Sequence, residues 1–180
     1  MKILKNNLKS ELNIRTQLNF PIEGIEFIDI NPMLIDKDVY NEVIEKLIQE
    51  VQNKNIDYII SPEARGFLFG CPVASKLNIG FIPVRKKGKM PPTTVEKSFE
   101  YEKEYGKDIL ELPKLINNET YKGKNFYIID DIYATGNTAR TIKQIVGDLG
   151  GNVIGTGVVI NIKELNKDDV FSLIDINEKE

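Results

Sequence analysis

Apolar residues recur along this chain in two rhythms, one helical and one compact and β-branched. Val39, Val43, Ile44, Leu47, Ile48 and Val51 form a single stripe at helical spacing, with Asp36 or Asp38 available to cap its start. Leu4, Leu8 and Leu12 predict a shorter amphipathic helix that breaks at Asn19-Phe20-Pro21. Ile56 to Ser61 is a β-branched run ended by Pro62, as a buried strand would be, and Gly66 to Leu77 then reads as a helix. Phe81 to Arg85 predicts another strand, in which Pro83 marks an edge-like or irregular position. Asn125 to Asp131 repeats the strand pattern with a polar end. The helix after it carries Ile142, Ile145, Val146 and Leu149 and stops at Gly150-Gly151. Val153 to Ile160 is the final central strand of this reading. Met90 to Glu104, polar and containing Pro91-Pro92, has the character of a loop between structural segments.

Strands alternating with helices predict an α/β fold, a mainly parallel sheet flanked by helices on both faces. No repeat, low-complexity tract or linker divides the 180 residues, which suit a single domain. The absence of histidine excludes Ser-His-Asp and Cys-His catalysis, leaving acid-base work to carboxylates, Tyr, Lys or Cys. The lone Cys71 forms no internal disulfide, fits a reducing cytoplasm, and in its apolar context reads as a small buried hydrophobe. No stretch approaches the ~20 apolar residues of a membrane span. A net charge of −3 gives no global reason to bind nucleic acid or an anionic membrane.

Ligands of parallel sheets bind beyond the carboxyl ends of the strands, so candidate chemistry is sought in the residues after each strand. After Ile129 the chain runs Asp130-Asp131-Ile132-Tyr133-Ala134-Thr135-Gly136-Asn137-Thr138 and then enters a helix. Free amides, hydroxyls and the helix dipole at such an entry suit a phosphate, and Gly136 lets backbone approach it closely. The spacing is neither that of a Walker loop nor that of a Rossmann fingerprint. The competing interpretation is a capped turn in which Asp131 and Thr138 merely satisfy backbone groups. Two adjacent carboxylates weigh against it, because a buried strand does not normally carry charges toward both faces. They suit sugar hydroxyls or a metal-bound sugar.

This segment resembles the phosphoribosyl-pyrophosphate loop of type I phosphoribosyltransferases. Further blocks lie in the order and spacing of the adenine phosphoribosyltransferase family: Phe20 to Pro32, Glu63 to Gly70, Pro83 to Lys89, and Glu104-Tyr105-Gly106. The resemblance implies the type I fold, with a hood and N-terminal helix from residues 1–35 and a mobile lid over residues 86–106. It implies Mg²⁺-dependent transfer of the 5-phosphoribosyl group from 5-phosphoribosyl 1-pyrophosphate to adenine, giving AMP and pyrophosphate in purine salvage. By resemblance, Ala134, Thr135, Gly136, Asn137 and Thr138 hold the 5′-phosphate, and Asp130 and Asp131 receive the ribose hydroxyls. Arg65, Arg85, Lys86 and Lys89 meet the pyrophosphate. Adenine stacks on Phe27 and against Ile132, is read by backbone near Glu26 and Ile28, and exchanges a proton with Glu104, beside Tyr105. Mg²⁺ is bridged by substrate and water near Asp130 and Asp131, with no direct protein ligand. A homodimer and a non-proline cis peptide in the loop of Glu63, Ala64 and Arg65 are implied in the same way.

The chain departs from the family at Ile28, usually basic, and at Glu26, usually apolar. These departures motivate an alternative, transfer to guanine, hypoxanthine or xanthine. Yet 6-oxopurine enzymes usually carry Asp where this chain has Ala134, which favours adenine. The lid is slightly longer than the family's and offers both Glu100 and Glu104; Glu104 is chosen because Gly106 follows it. A non-catalytic sensor of phosphoribosyl pyrophosphate is the reading from a different class, and it would need neither Glu104-Tyr105-Gly106 nor the basic segment.

Overall fold

A computed structural model describes residues 2–3, 14–103 and 106–177. The elements are β1 (Lys2–Ile3), β2 (Arg15–Leu18), β3 (Glu26–Asp29), α1 (Asn31–Ile35), α2 (Lys37–Val51), β4 (Tyr58–Pro62), α3 (Phe67–Leu77), β5 (Gly80–Lys86), β6 (Val95–Lys103), β7 (Gly106–Pro113), β8 (Asn125–Tyr133), α4 (Asn137–Asp148), β9 (Asn152–Ile162) and β10 (Phe171–Asn177). The helix expected around Leu4, Leu8 and Leu12 falls on residues outside those described.

Eight strands form one sheet in the order β1-β10-β9-β8-β4-β5-β7-β6, and β2 and β3 form a separate antiparallel pair. The five central strands, β10 to β5, run parallel. Alternate residues feed opposite faces: Ile59, Ile129 and Val159 join the core under α2 and α3, whereas Ile60, Ile128 and Val158 join the core under α4. Both faces are covered, which explains why these strands read as unbroken apolar runs. At the start of α2, Asp36 is the cap, its carboxylate accepting from the amides of Asp38 and Val39.

Several expectations need revision. Val153–Ile160 is not the last strand, because β10 pairs in parallel beyond β9. The segment read as a polar loop contains β6, which pairs antiparallel with β7 along nearly its whole length. Its alternation is obscured by Lys97, which shares the inward face and pairs with Asp148 of α4, while Glu96, Ser98 and Glu100 face outward and Phe99 and Tyr101 turn toward the core that holds Leu110 and Leu112. Pro83 lies on an internal strand, but β7 pairs with β5 only at Arg85 and Lys86, leaving one side of Pro83 without a strand neighbour. Cys71 is exposed rather than buried, since it falls on the outer side of α3 while Phe69, Gly70, Val73 and Ala74 face inward.

Candidate active site

The carboxyl ends of β4, β5 and β8 open into one pocket of about 240 Å³, lined by Glu63, Ala64, Arg65, Lys86, Asp130, Asp131, Ile132 and Thr138 among others. A second pocket of about 100 Å³ adjoins it, formed by the turn from Tyr133 to Ala139 and floored by Ile128 and Thr156. Gly136 stands at the entry of α4 with φ of +80°, and no side chain caps that helix. The capped-turn interpretation is therefore not realised. The first amides of α4 lack a side-chain acceptor, which suits an anion. Gly136 is also sterically required: a Cβ there would stand 2.5 Å from the Tyr133 hydroxyl and 2.7 Å from Asp168 Oδ2. Within this pocket Thr156 Oγ1 is buried without a hydrogen-bond partner.

Asp130 and Asp131 both line the larger pocket although they are neighbours on β8. Asp130 Oδ1 accepts from the Asp131 amide at 2.9 Å. Burial, and then the adjacent Asp131 carboxylate, push the Asp130 carboxyl well above its ordinary range. Asp131 is 3% exposed. Its Oδ2 lies 2.8 Å from Arg65 Nε as an ion pair, but no donor is aligned on it as a hydrogen bond. Gly66 permits this crowding, because a Cβ there would sit 2.9 Å from Asp130 Oδ1.

Arg65 links this carboxylate pair to the β2–β3 hood. Its guanidinium carbon lies 5.5 Å from the Phe27 ring centroid, and Nη1 donates to the Ile28 carbonyl at 3.4 Å. Phe27 also meets Phe20 edge-on at 5.1 Å. Phe27 is half-buried, Ile28 is buried and Glu26 is exposed. The hood thus brings Phe27 to the same edge as Ile132.

The basic residues at the end of β5 are organised by Glu63, which sequence reasoning did not select as a site residue. Its Oε2 accepts from Arg85 Nε at 3.0 Å and from the Lys86 amide at 2.9 Å. Burial alone would raise this carboxyl; the Lys86 amide, Arg85 and Lys89 together hold it below its usual range. The Glu63-Ala64 peptide is cis, as the resemblance implied. Arg85 additionally faces the Phe67 ring at 5.8 Å, while Lys86 and Lys89 are exposed. Glu104 and Tyr105 lie outside the described residues.

Sequence reasoning also missed the loop after β9. Asn166 donates to the Ala134 carbonyl and Asp168 accepts from the Tyr133 hydroxyl, both within the turn that leads into α4. Their place just beyond the carboxyl end of a central parallel strand is the signal that could have found them.

A mostly parallel sheet with a strand-turn-helix cradle at its carboxyl edge and a small hood defines the type I phosphoribosyltransferase fold. The chain belongs to the phosphoribosyl transferase domain family, whose pattern matches residues 33–180. It is 45% identical over 171 residues to an adenine phosphoribosyltransferase of Clostridium acetobutylicum, an alignment covering 92% of this chain and 96% of that protein. The crystal structure of adenine phosphoribosyltransferase from Thermoanaerobacter pseudethanolicus matches with a TM-score of 0.80 and 41% identity, covering 91% of this chain and 95% of that one. The Saccharomyces cerevisiae adenine phosphoribosyltransferase, complexed with an imino-altritol bisphosphate and adenine, matches with a TM-score of 0.76 and 36% identity, covering 90% and 94%.

Proposed function

We infer that this chain is an adenine phosphoribosyltransferase, transferring the 5-phosphoribosyl group of 5-phosphoribosyl 1-pyrophosphate to adenine to release pyrophosphate and AMP. The observation that carries this reading is the convergence at one sheet edge of an uncapped helix entry, an adjacent carboxylate pair and a basic cluster. The relatives named above support adenine as the acceptor rather than another purine.

In this reading Thr135, Gly136, Asn137, Thr138 and the Ala134 backbone hold the 5′-phosphate at the α4 entry. Asp130 and Asp131 take the ribose hydroxyls and so orient C1 toward the base. Arg65, Arg85, Lys86 and Lys89 neutralise the leaving pyrophosphate, with Glu63 aiming Arg85 and the Lys86 amide. Adenine lies between Phe27 and Ile132, with the backbone at Glu26 and Ile28 reading its polar edge. Glu104, with Tyr105, handles the proton on the imidazole edge of the purine, and residues 86–106 cover the reacting centre. The donor set suits Mg²⁺: Asp131 Oδ2, buried and without an aligned donor, and Asp130 line a pocket roomy enough for an ion shared with substrate oxygens and water. When bound, the ion neutralises charge on the diphosphate.

The active form in this proposal is a homodimer in the cytoplasm. Exposed apolar side chains at Leu18, Phe20, Ile22, Ile35 and Leu68 support a pairing surface, and the exposed, unpaired Cys71 thiol supports a reducing compartment.

Incubating the purified chain with 5-phosphoribosyl 1-pyrophosphate, Mg²⁺ and each of adenine, guanine, hypoxanthine and xanthine tests the reading. AMP is the expected product by mass. Another nucleotide would move specificity to Ile28 and Glu26, and no nucleotide at all would end the assignment.

A further inference from the structure

Beside the phosphate loop, two side chains that line neither pocket hold two of its carbonyls, and neither has a part in the reaction described above. Asn166, between β9 and β10, donates through Nδ2 to the Ala134 carbonyl at 2.7 Å, and also lies 3.0 Å from both Asn161 Oδ1 and the Ile162 carbonyl. Arg140, on the first turn of α4, donates through Nη2 to the Thr135 carbonyl and, at 2.9 Å, to Asn137 Oδ1. Its Nη1 meets Asp168 Oδ2 at 2.5 Å. The Tyr133 hydroxyl donates to that same oxygen at 2.8 Å, and the Asp168 amide reaches Asn166 Oδ1 at 3.3 Å.

A trans peptide is planar, with its carbonyl and the following N–H pointing in opposite directions. Pinning the Ala134 carbonyl therefore sets the direction of the Thr135 amide, and pinning the Thr135 carbonyl sets that of Gly136. Both amides belong to the loop assigned to the 5′-phosphate. Either carbonyl, if turned inward, would present a partial negative charge to a dianion. Gly136, at φ +80°, has the backbone freedom to permit such a turn.

We propose that Asn166 and Arg140 are positioning residues for phosphoribosyl binding, fixing from outside the cradle the amides that face the 5′-phosphate, with Asp168 and Tyr133 holding Arg140 in place. This rests on the phosphate-loop reading given above and deepens it. Neither residue lines the two pockets assigned to the substrate.

The test compares wild type with Asn166→Asp, Arg140→Ala and Arg140→Lys. Affinity for ribose 5-phosphate is measured by calorimetry, and KM and kcat are measured for both substrates. Asn166→Asp keeps the shape but replaces the donor with an acceptor facing the Ala134 carbonyl. In both Asn166→Asp and Arg140→Ala, the Kd for ribose 5-phosphate and the KM for phosphoribosyl pyrophosphate rise by about ten- to a hundredfold, as for loss of a charge-assisted or buried hydrogen bond. The KM for adenine stays at its wild-type value. Arg140→Lys keeps the Asp168 ion pair but cannot span Thr135 and Asn137, so it falls between. A merely structural role would lower the melting temperature and leave these constants unchanged in the folded fraction. Should Asn166→Asp fail to fold, the two Arg140 variants decide.

Folded variants that bind ribose 5-phosphate like wild type, in an enzyme that still makes AMP, overturn this proposal and leave the reaction standing. Wild type that binds ribose 5-phosphate but makes no nucleotide, with the variants weakened, does the reverse. Wild type that does not bind ribose 5-phosphate overturns both.

Discussion

Asp130 sits at the end of a strand whose other residues are chosen for burial, and its ionisation is opposed first by that burial and then by Asp131. The folded chain holds the Asp130 proton more tightly than the unfolded chain does. The stabilisation is complete below the ordinary value of 3.8 and is lost as pH rises through the raised folded value. Glu63 has the opposite sign, with its contribution present above 4.5 and lost as pH falls through its lowered value. The difference between wild type and Asp130→Asn isolates the first effect. The variant is expected to melt higher near pH 7, by about 2–4 °C for each kcal/mol recovered, and this gain should disappear toward pH 4. Its affinity for phosphoribosyl pyrophosphate should fall, since the ribose loses the Asp130 carboxyl as a hydrogen-bond partner. Equal melting curves across pH 4 to 7 would show that Asp130 carries no such burden. The carboxylate pair was legible in the sequence because two adjacent charges on a buried strand break its pattern. Glu63 was not, because nothing local distinguishes it from an ordinary surface glutamate. Its role depends on Arg85 and Lys86, brought beside it only when β5 pairs with β4.

At the scale of elements, α2 and α4 were readable because each carries an apolar stripe wide enough to face a sheet, bounded by a local start or stop. Asp36 supplies two side-chain hydrogen bonds to the first turn of α2 and lines neither site pocket. Asp36→Ala should cost about 1 kcal/mol, visible as a melting shift of about 2–4 °C, with AMP formation unchanged at temperatures well below melting. A loss of activity without a melting shift would contradict this separation. The hairpin of β6 and β7 was not readable, because Glu96, Lys97, Glu100 and Glu102 dominate its sequence and the inward face shows through only a few side chains, among them Phe99, Tyr101, Leu110 and Leu112. β10 was missed because it follows a polar stretch and pairs with β9, a partner that no local pattern names.

For the whole molecule, Leu18, Phe20 and Ile22 of the hood region and Leu68 on α3 are exposed, and these are the side chains offered for the pairing surface of the proposed homodimer. Light scattering coupled to size exclusion is expected to give twice the 20.5 kDa chain mass. A single-chain mass that persists in an active preparation would exclude the homodimer. The sequence by itself determined the α/β alternation, the place of the turn proposed to hold phosphate and the carboxylates before it. These follow from periodicity and from contiguous strand-turn-helix chemistry, both encoded within a few residues. Tertiary structure alone decided the rest: that Glu63 orders the basic cluster 22 residues away, that Arg65 bridges Asp131 and Phe27, and that Asn166 supports Ala134 across 32 residues. Such polar contacts have no period and no local signature. They arise where strand ends converge, so their positions are set by the order of strands in the sheet.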